Sequence, residues 1–401
     1  MRVLFLNPVA RIGGAEQSLI DLLSCLRDSA TVGLVTLEDG PLVERARDIG
    51  VPATVVPLPE GLLRLGDAGT SRSLLQVMGQ PARHPLSGLR ALRSLSTAIA
   101  AFKPSIVHSN GIKTHLLSGL VGTGEARLVW HVRDFIGSRR VVRALLPRVS
   151  SRVGAAFAIS AAVERDLRRV LPDVPIAIVY NAVDLERFSP RERPDGLLDS
   201  LSGLPPTSSG TVRIGLVATY ARWKGHRLFL EAAALAVRRT RVPLRFYIVG
   251  GPIYKGAGSQ IGEHDLRAWI GELGLDGQVG LVPFVTNPER VFNALEIAVS
   301  ANTSPEPFGR TLVEALASGV PVVTGPDVGA LEDLPHGTVE RLEALNPEAL
   351  GAALVSLAKS RERREELSRL GLDAAHRYSR ERLRERVLGL YRCLGVAEAR
   401  T

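Results

Sequence analysis

Hydrophobic and polar positions divide the chain into short apolar runs separated by amphipathic stretches. The runs are rich in β-branched residues, and the stretches between them have apolar positions at helical spacing. Strands that alternate with helices in this way are typical of βαβ units, in which the strands of a sheet run parallel. In the first half of the chain the pattern predicts strands at 3–7, 31–36, 105–108, 128–131, 154–159 and 177–180.

The alternation stops and then restarts. Residues 189–210 are rich in Pro, Gly and Ser and have no sustained period, which indicates a connection between domains. A second parallel sheet is then predicted from strands at 213–217, 244–249, 278–282, 297–300 and 320–324.

These patterns predict two Rossmann-like domains. From about residue 346 the chain is helical and highly charged up to a last helix. We expect an N-terminal domain at 1–190, a linker at 191–210, a C-terminal domain at 211–379, and a C-terminal helix at about 380–401 that packs back on the first domain.

Length and composition agree with this division. A chain of 401 residues exceeds one typical folding unit, which favours two domains with a cleft between them. Hydrophobic residues at 45% and charged residues at 23% exclude a disordered or fibrous protein. The net charge of +9, mostly from Arg, suits contact with phosphates, nucleic acid or an anionic membrane and does not choose among them.

The cysteines and the chain start bear on location. Cys25 and Cys393 are too few for a disulfide framework or a thiolate metal site, so we expect buried helix residues in a reducing compartment. The apolar start, closed by Pro8 and Arg11, is too short for a signal peptide, and no segment approaches the ~18 apolar residues of a membrane span. The sequence predicts a cytoplasmic protein, or one bound peripherally to the inner face of a membrane.

Candidate chemistry is concentrated in residues 304–323, which are predicted to form a strand end, a loop, a helix capped by Gly319 and the next strand. Ligands bind at the carboxyl ends of strands in an open parallel sheet. A helix that opens near Gly309 directly after a strand presents N–H groups and a positive dipole end to a phosphate. Glu306 at its mouth and Glu314 inside it need hydrogen-bond donors, and sugar hydroxyls are suitable ones.

This segment resembles the signature of glycosyltransferase family 4, retaining enzymes of the GT-B fold. The signature has two Glu separated by seven residues and followed by small residues, Gly and Pro, and Glu306 and Glu314 have that spacing. Residues 13–16, Gly-Gly-Ala-Glu after the first strand, resemble the family's N-terminal Gly-rich loop. The resemblance covers nearly the whole chain and implies an α/β GT-B fold, with two Rossmann-like domains facing each other across a deep cleft.

The resemblance implies roles for individual donor-side residues. Glu314 would bind the donor ribose, and Glu306 would lie beside the transferred sugar. Gly13 and Gly14 allow close backbone approach to a phosphate, the alternative being a simple tight turn. The backbone that would contact sugar and diphosphate is that of Phe308, Gly309, Arg310, Thr311 and Leu312.

Two cations follow the first strand of the second domain. Lys224 resembles the family's diphosphate-neutralising Lys. The family commonly places an Arg five or six residues earlier, where this chain has Ala218 and Thr219. Arg222 either replaces that Arg, facing the same side as Lys224 if the loop is extended, or is a solvated loop charge.

Polar residues also end strands of the first domain. His131 resembles the family's His that contacts the donor sugar. Arg133 and Asp134 either pair with each other or line the acceptor site, and Asn110 either binds an acceptor hydroxyl or belongs to a polar turn. In the second domain, Phe284 lies in a segment that resembles the family's base-binding segment. Contacts there come from the main chain, so the sequence does not predict which base is bound.

The predicted reaction is transfer of a sugar from a nucleoside diphosphate to a hydroxyl acceptor, with the retention that the family implies. Positive groups and the helix end would stabilise the departing diphosphate. No metal or other cofactor is expected, since no cluster with metal-ligand spacing is present. The predicted catalytic residues are His131, Arg222, Lys224 and Glu306.

Partners and alternatives complete the prediction. The acceptor would be a glycan, a lipid-linked sugar or a small glycoside, and nucleic acid is not an expected partner. The basic stretch 138–148 either docks on anionic lipid or is a solvated face. The alternative functions are a nucleotide-sugar 2-epimerase on the same fold, which would act without an acceptor, and a non-catalytic sugar-nucleotide-binding module, which would lose Lys224 or Glu306.

Overall fold

The computed structural model describes residues 1–58, 85–252 and 260–396. The chain divides into two compact units, the first formed by Met1–Ala182 with Arg380–Thr401 and the second by Val183–Ser379. Each unit contains one parallel sheet with helices, and this confirms the predicted α/β class with two sheets.

The first unit contains a seven-stranded parallel sheet in the order β3-β2-β1-β4-β5-β6-β7. The strand order reverses between β1 and β4, the position at which ligands bind in such sheets. The strands are β1 (Arg2–Asn7), β2 (Thr31–Thr36), β3 (Ala53–Val55), β4 (Ile106–Ser109), β5 (Arg127–Val132), β6 (Val153–Ala158) and β7 (Ile176–Ile178).

Six helices among the described residues of Met1–Ala182 belong to this unit, and their apolar sides cover the sheet. They are α1 (Gly14–Leu26), α2 (Pro41–Asp48), α3 (Pro85–Phe102), α4 (Ile112–Leu120), α5 (Arg140–Val149) and α6 (Ala161–Arg168).

The second unit contains a six-stranded parallel sheet in the order β10-β9-β8-β11-β12-β13, which reverses between β8 and β11. Its strands are β8 (Val212–Val217), β9 (Leu244–Val249), β10 (Val279–Val282), β11 (Ile297–Ser300), β12 (Val322–Thr324) and β13 (Glu340–Arg341). Its helices are α7 (Leu197–Ser202), α8 (His226–Arg239), α9 (Glu263–Glu272), α10 (Pro288–Asn293), α11 (Arg310–Ala317), α12 (Pro347–Lys359) and α13 (Arg361–Ala375).

Every predicted strand is present, with bounds that differ by at most about two residues. Two strands were not predicted. Ala53–Val55 is a three-residue edge strand that is only partly buried, and Glu340–Arg341 has two charged residues. Neither has the apolar run on which the prediction depended.

The predicted linker at 191–210 is wrong, because the units divide between Ala182 and Val183 and this segment belongs to the second unit. It contains α7, whose Asp199 is buried. The Asp199 carboxylate accepts hydrogen bonds from the Tyr247 hydroxyl at 2.6 Å and from the Thr207 N–H at 2.9 Å. Its Pro, Gly and Ser content gave no sign of this buried anchor.

The last helix, α14 (Arg380–Cys393), belongs to the first unit and packs on α1. Arg380 donates a hydrogen bond at 2.5 Å to Asp21, which is fully buried in α1. Cys25 is buried in the same helix, and burial raises the pKa of its thiol to about 12. Cys393 is exposed, contrary to the prediction, since it is the final residue of α14.

Among the helices that the structure describes, none combines the length and the apolar character needed to cross a membrane.

Candidate active site

The start of α11 lies at the carboxyl end of β11 in the second unit. Gly309 precedes this helix with φ of 90°, and a Cβ added there would lie 2.4 Å from Val328 Cγ1, so glycine is required. Phe308 is buried with its ring against Tyr378, at a centroid distance of 5.6 Å. The segment therefore offers backbone N–H groups of a helix start, which suit an anion.

Two ion pairs lie in this segment. Lys224 Nζ donates to Glu306 Oε2 in a close ion pair, and Arg310 Nε donates to Glu314 Oε1 at 2.7 Å. The Glu314 side chain is only 8% exposed, and the side chains of Lys224 and Glu306 are 21% and 15% exposed. Each carboxylate thus enters a partly dry environment with a cation as its partner.

Backbone packing brings Lys224 to Glu306. Gly225 has φ of 69°, and a Cβ there would lie 1.8 Å from the carbonyl oxygen of Ala301, directly after β11. The Thr303 N–H also donates to the Trp223 carbonyl at 2.8 Å. The loop after β8 is therefore held against the loop after β11.

Arg222 is placed differently from Lys224. Residues Arg222–Lys224 form a 3-10 turn and not an extended loop, so the condition under which Arg222 would face the same side as Lys224 is not met. Two residues of such a turn point in different directions. The Arg222 side chain is exposed and forms no hydrogen bond or ion pair within the described ranges, while the Lys224 side chain contacts Glu306.

Phe284 follows β10 at the same edge of the second sheet. Its side chain is 58% exposed, which is unusual for a ring of this size. A Cβ added at Gly251, after β9, would lie 3.5 Å from the Phe284 Cβ. The sheet edge therefore carries an open aromatic surface beside a glycine loop.

The Gly-rich loop of the first unit has one amide already engaged. The Gly13 N–H donates to Glu16 Oε2 at 3.1 Å and caps α1, so this amide serves the helix start. Burial raises the pKa of Glu16, opposed by hydrogen bonds from Gly13 and Asn7 and by the charge of Arg133. At Gly14 an added Cβ would meet no atom within 4 Å, so the space above this residue is open.

Arg133 forms the centre of a polar network at the end of β5. It donates to Asn110 Oδ1 and to Asn181 Oδ1, each at 2.5 Å, and contacts His131 Nδ1 at 3.4 Å. Asp134 forms an ion pair with Arg139. The predicted acceptor residues Asn110 and Arg133 are therefore joined to each other.

His131 lies at the end of β5 with its ring buried. His108 Nε2 is 3.1 Å from His131 Nδ1, and His131 Nε2 has no hydrogen-bond partner in the described part of the chain. Burial, followed by the charge of Arg133, lowers the pKa of both rings well below the ordinary value. Both imidazoles are therefore neutral. Sequence reasoning noted His108 only as the end of a strand and missed this contact.

A third buried histidine, His115, lies in α4. Its Nδ1 is 2.7 Å from Ser109 Oγ, and its ring stacks on Trp130 at a centroid distance of 5.3 Å. Burial, followed by the charge of Arg133, lowers its pKa to about 3. Within residues 1–58, 85–252 and 260–396, no three His, Cys, Asp or Glu side chains are grouped so that they could hold a metal ion.

Two family models match adjacent parts of the chain. The model described as Glycosyltransferase Family 4 matches residues 12–187, and the model described as Glycosyl transferases group 1 matches residues 186–372. The chain belongs to glycosyltransferase family 4. Within this family-4 chain, the first match covers the Gly-rich loop and His131, and the second covers the ion pairs around α11.

Sequence relatives agree with the family. The chain is 30% identical over 224 residues to a D-inositol 3-phosphate glycosyltransferase of Corynebacterium urealyticum, covering 55% of this chain and 51% of that protein. It is 34% identical over 161 residues to the protein of the same name from Rhodococcus erythropolis, covering 39% and 34%. The chain thus spans about half the length of the first relative and less of the second.

The fold is also that of a solved structure. The crystal structure of Anabaena Alr3699/HepE in complex with UDP has a TM-score of 0.79 and 19% identity, over 98% of this chain and 100% of that one. At this identity the likeness establishes the GT-B fold of the family-4 chain.

His115 predicts a pH dependence of stability. In the unfolded chain a His titrates near pH 6.5, so below that pH only the unfolded state binds this proton. The contribution of the neutral His115 ring to the free energy of unfolding is fully present above about pH 6.5. It decreases by roughly 1.4 kcal/mol for each unit by which the pH falls below that value. We expect His115→Gln to be less stable than the wild type near pH 7. The difference between their free energies of unfolding, the gap, should be smaller by roughly 2 kcal/mol near pH 5.

Urea denaturation at the two pH values measures this gap. His336→Gln is the control, because His336 is exposed in the second unit. It should follow the wild-type pH dependence. A gap for His115→Gln that stays constant with pH would show that burial of this ring does not control its protonation.

Proposed function

We propose that the chain is a retaining glycosyltransferase that moves a sugar from a nucleoside diphosphate sugar to a hydroxyl acceptor without a divalent metal ion. The observation that carries the proposal is the pairing of Lys224 with Glu306 and of Arg310 with Glu314 at the start of α11. Family membership and the UDP in the Anabaena structure support a nucleotide sugar as the donor.

The proposed chemistry depends on positive charge beside the diphosphate. A Lys ammonium has three N–H donors, so Lys224 can keep Glu306 and still bind phosphate oxygens. Together with the N–H groups at Gly309 and Arg310, it would stabilise the charge that develops on the leaving group, usually the largest catalytic contribution. The bond from the anomeric carbon to the diphosphate breaks, the bond to the acceptor oxygen forms, and the leaving phosphate takes the acceptor proton.

The other donor contacts follow from the chemistry of the paired groups. Glu314, whose carboxylate accepts a hydrogen bond from Arg310, is the proposed contact to the ribose hydroxyls. The exposed ring of Phe284 offers a stacking surface for a base. In the first unit, His131 Nε2 is the proposed contact to the sugar. Gly14, with open space above it, is a better candidate for phosphate approach than Gly13, whose amide is engaged.

The acceptor is a hydroxyl compound, and the proposed acceptor-side residues are Asn110, Arg133 and Asp134. Because the two relatives above are named for D-inositol 3-phosphate, a phosphorylated cyclitol is one acceptor to assay beside glycans and lipid-linked sugars. We also propose that the enzyme works in the cytoplasm.

A thermal-shift screen of nucleoside diphosphates and their sugars, followed by transfer assays with and without EDTA, tests the proposal. A ligand that binds only the native state raises the melting temperature. We expect stabilisation by a nucleoside diphosphate and transfer that is insensitive to EDTA. Conversion of the donor without an acceptor would indicate an epimerase, and binding without any turnover a non-catalytic module.

Glu314 provides the first prediction for this function. We expect Glu314→Ala to weaken binding of the nucleoside diphosphate by roughly ten-fold or more, because a hydrogen bond to a charged group is lost. Glu306→Gln should keep this affinity and mainly lower kcat. Calorimetry with UDP measures the affinity, and Glu343→Ala is the control, since Glu343 is exposed. Wild-type affinity in Glu314→Ala would remove the ribose assignment.

Lys224 and Arg222 provide the second prediction. We expect Lys224→Ala to lower kcat/KM by roughly two to three powers of ten, because a preorganised charge is lost. Arg222→Ala should lower it by less than about ten-fold, because an exposed charge on another side of the turn is screened by water.

Steady-state kinetics of both variants test this order. Arg227→Ala, also an exposed Arg near the start of α8, is the control. A loss in Arg222→Ala as large as that in Lys224→Ala would place Arg222 at the diphosphate, in the role of the Arg that the family usually has near Thr219.

The basic face of α5 provides the third prediction. Arg140, Arg143 and Arg148 are exposed on this helix, and we propose that they bind anionic lipid peripherally. Co-sedimentation with vesicles rich in phosphatidylglycerol should be lost in the triple Gln variant, since each Arg near an anionic surface contributes about 1 kcal/mol. A control with the same charge change in the second unit is R361Q/R369Q/R377Q. Equal binding of all three proteins, or none at low salt, would leave α5 as a solvated face.

A further inference from the structure

Tyr391 lies on α14 and is fully buried in the first unit. Its hydroxyl is 2.5 Å from His108 Nδ1, and its ring stacks with Phe157 at a centroid distance of 6.0 Å. Because His108 Nε2 is 3.1 Å from His131 Nδ1, a continuous line of polar atoms leads from the C-terminal helix to the end of β5.

The contact between Arg133 and His131 indicates where the protons of this line reside. A guanidinium can only donate, and Arg133 contacts His131 Nδ1 at 3.4 Å. His131 Nδ1 is therefore an acceptor, and the neutral ring carries its proton on Nε2. His108 Nε2, which faces the same Nδ1, must then donate, so His108 Nδ1 accepts from the Tyr391 hydroxyl. In this line Tyr391, His108 and His131 therefore each have one position of the proton that gives every contact a donor and an acceptor.

We propose that Tyr391 and His108 are positioning residues, which together with Arg133 hold His131 in the Nε2–H tautomer and present this N–H as a hydrogen-bond donor to an oxygen of the transferred sugar. The contact between His131 and the sugar rests on the proposed function, whereas the tautomer of His131 does not. Tyr391 and His108 act only through His131 and touch no substrate in this proposal.

The free end of the line supports a ligand contact. His131 Nε2 is buried and has no partner among the described residues, and a buried donor without a partner costs about 1–3 kcal/mol. A sugar oxygen would satisfy it. Because burial keeps both imidazoles neutral and the Tyr391 hydroxyl protonated, the line provides a neutral donor and not a general acid.

Nitrogen NMR of histidine-labelled protein tests the tautomer without any assay of activity. Signals of His131 and His108 are assigned by their loss in His131→Gln and His108→Gln. We expect wild-type His131 to be the Nε2–H tautomer with no titration between about pH 6 and pH 8. In Tyr391→Phe, His108 can carry its proton on Nδ1 and accept from His131 Nδ1, so that only Arg133 still favours the Nε2–H form. The His131 signals should then move part of the way toward the Nδ1–H form. Unchanged His131 signals in that variant would overturn the proposal.

Kinetics with the donor that the screen identifies test the link to the sugar. Tyr391→Phe should lower kcat by roughly five- to ten-fold with little change in the donor KM, as expected for one weakened hydrogen bond. Tyr247→Phe removes another buried hydroxyl with a side-chain partner, in the second unit, and should keep the wild-type kcat. Equal kcat in wild type and Tyr391→Phe would overturn the link even where the NMR result stands.

His108 variants separate positioning from packing. Gln places an amide N–H near the position of Nε2, so His108→Gln should retain more activity than His108→Leu. In the His108→Leu background, Tyr391→Phe should cause no further loss, because Tyr391 acts only through His108. Additive losses would assign Tyr391 to packing alone. If no nucleotide sugar is turned over by the wild type, the proposed function fails while the NMR experiment still decides the tautomer.

Discussion

Polar side chains buried at the carboxyl ends of parallel strands must find partners, and much of the site follows from this constraint. A carboxylate without a partner in a dry environment is costly, and the cost falls when a cation and hydrogen bonds compensate it. Glu306 and Glu314 satisfy the requirement with Lys224 and Arg310. In the first unit Arg133 satisfies it with the amides of Asn110 and Asn181.

The partners meet because glycines allow the backbone to approach closely. At Gly225 an added Cβ would collide with the Ala301 carbonyl, and at Gly309 with Val328. Both glycines have positive φ, so they also set the direction in which the chain enters α8 and α11. The glycines therefore bring together two side chains that are distant from each other in sequence, Lys224 and Glu306 being 82 residues apart.

The sequence predicted those features that depend on local pattern. The strands were found because each is a short apolar run, and α11 because Gly309 and Gly319 bracket it after a buried strand. The pairing of Lys224 with Glu306 and the contact of Tyr391 with His108, 283 residues apart, depend on tertiary packing that one sequence does not specify. The 3-10 turn at Arg222 was not predicted, and the anchor of α7 through Asp199 was missed for the same reason, since composition suggested a linker there.

The two units differ in the kind of polar group they present. In the second unit cations and a helix start provide positive charge, which in the proposed function would interact strongly with a diphosphate in a partly dry site. In the first unit the charge of Arg133 is surrounded by amides and neutral rings, and burial keeps His108, His115 and His131 unprotonated. In the proposed function, a neutral N–H donor would bind a sugar oxygen without adding a positive charge near the anomeric carbon, where positive charge would develop as the diphosphate leaves. Neutrality of His131 is therefore compatible with a transition state that a protonated imidazole would oppose.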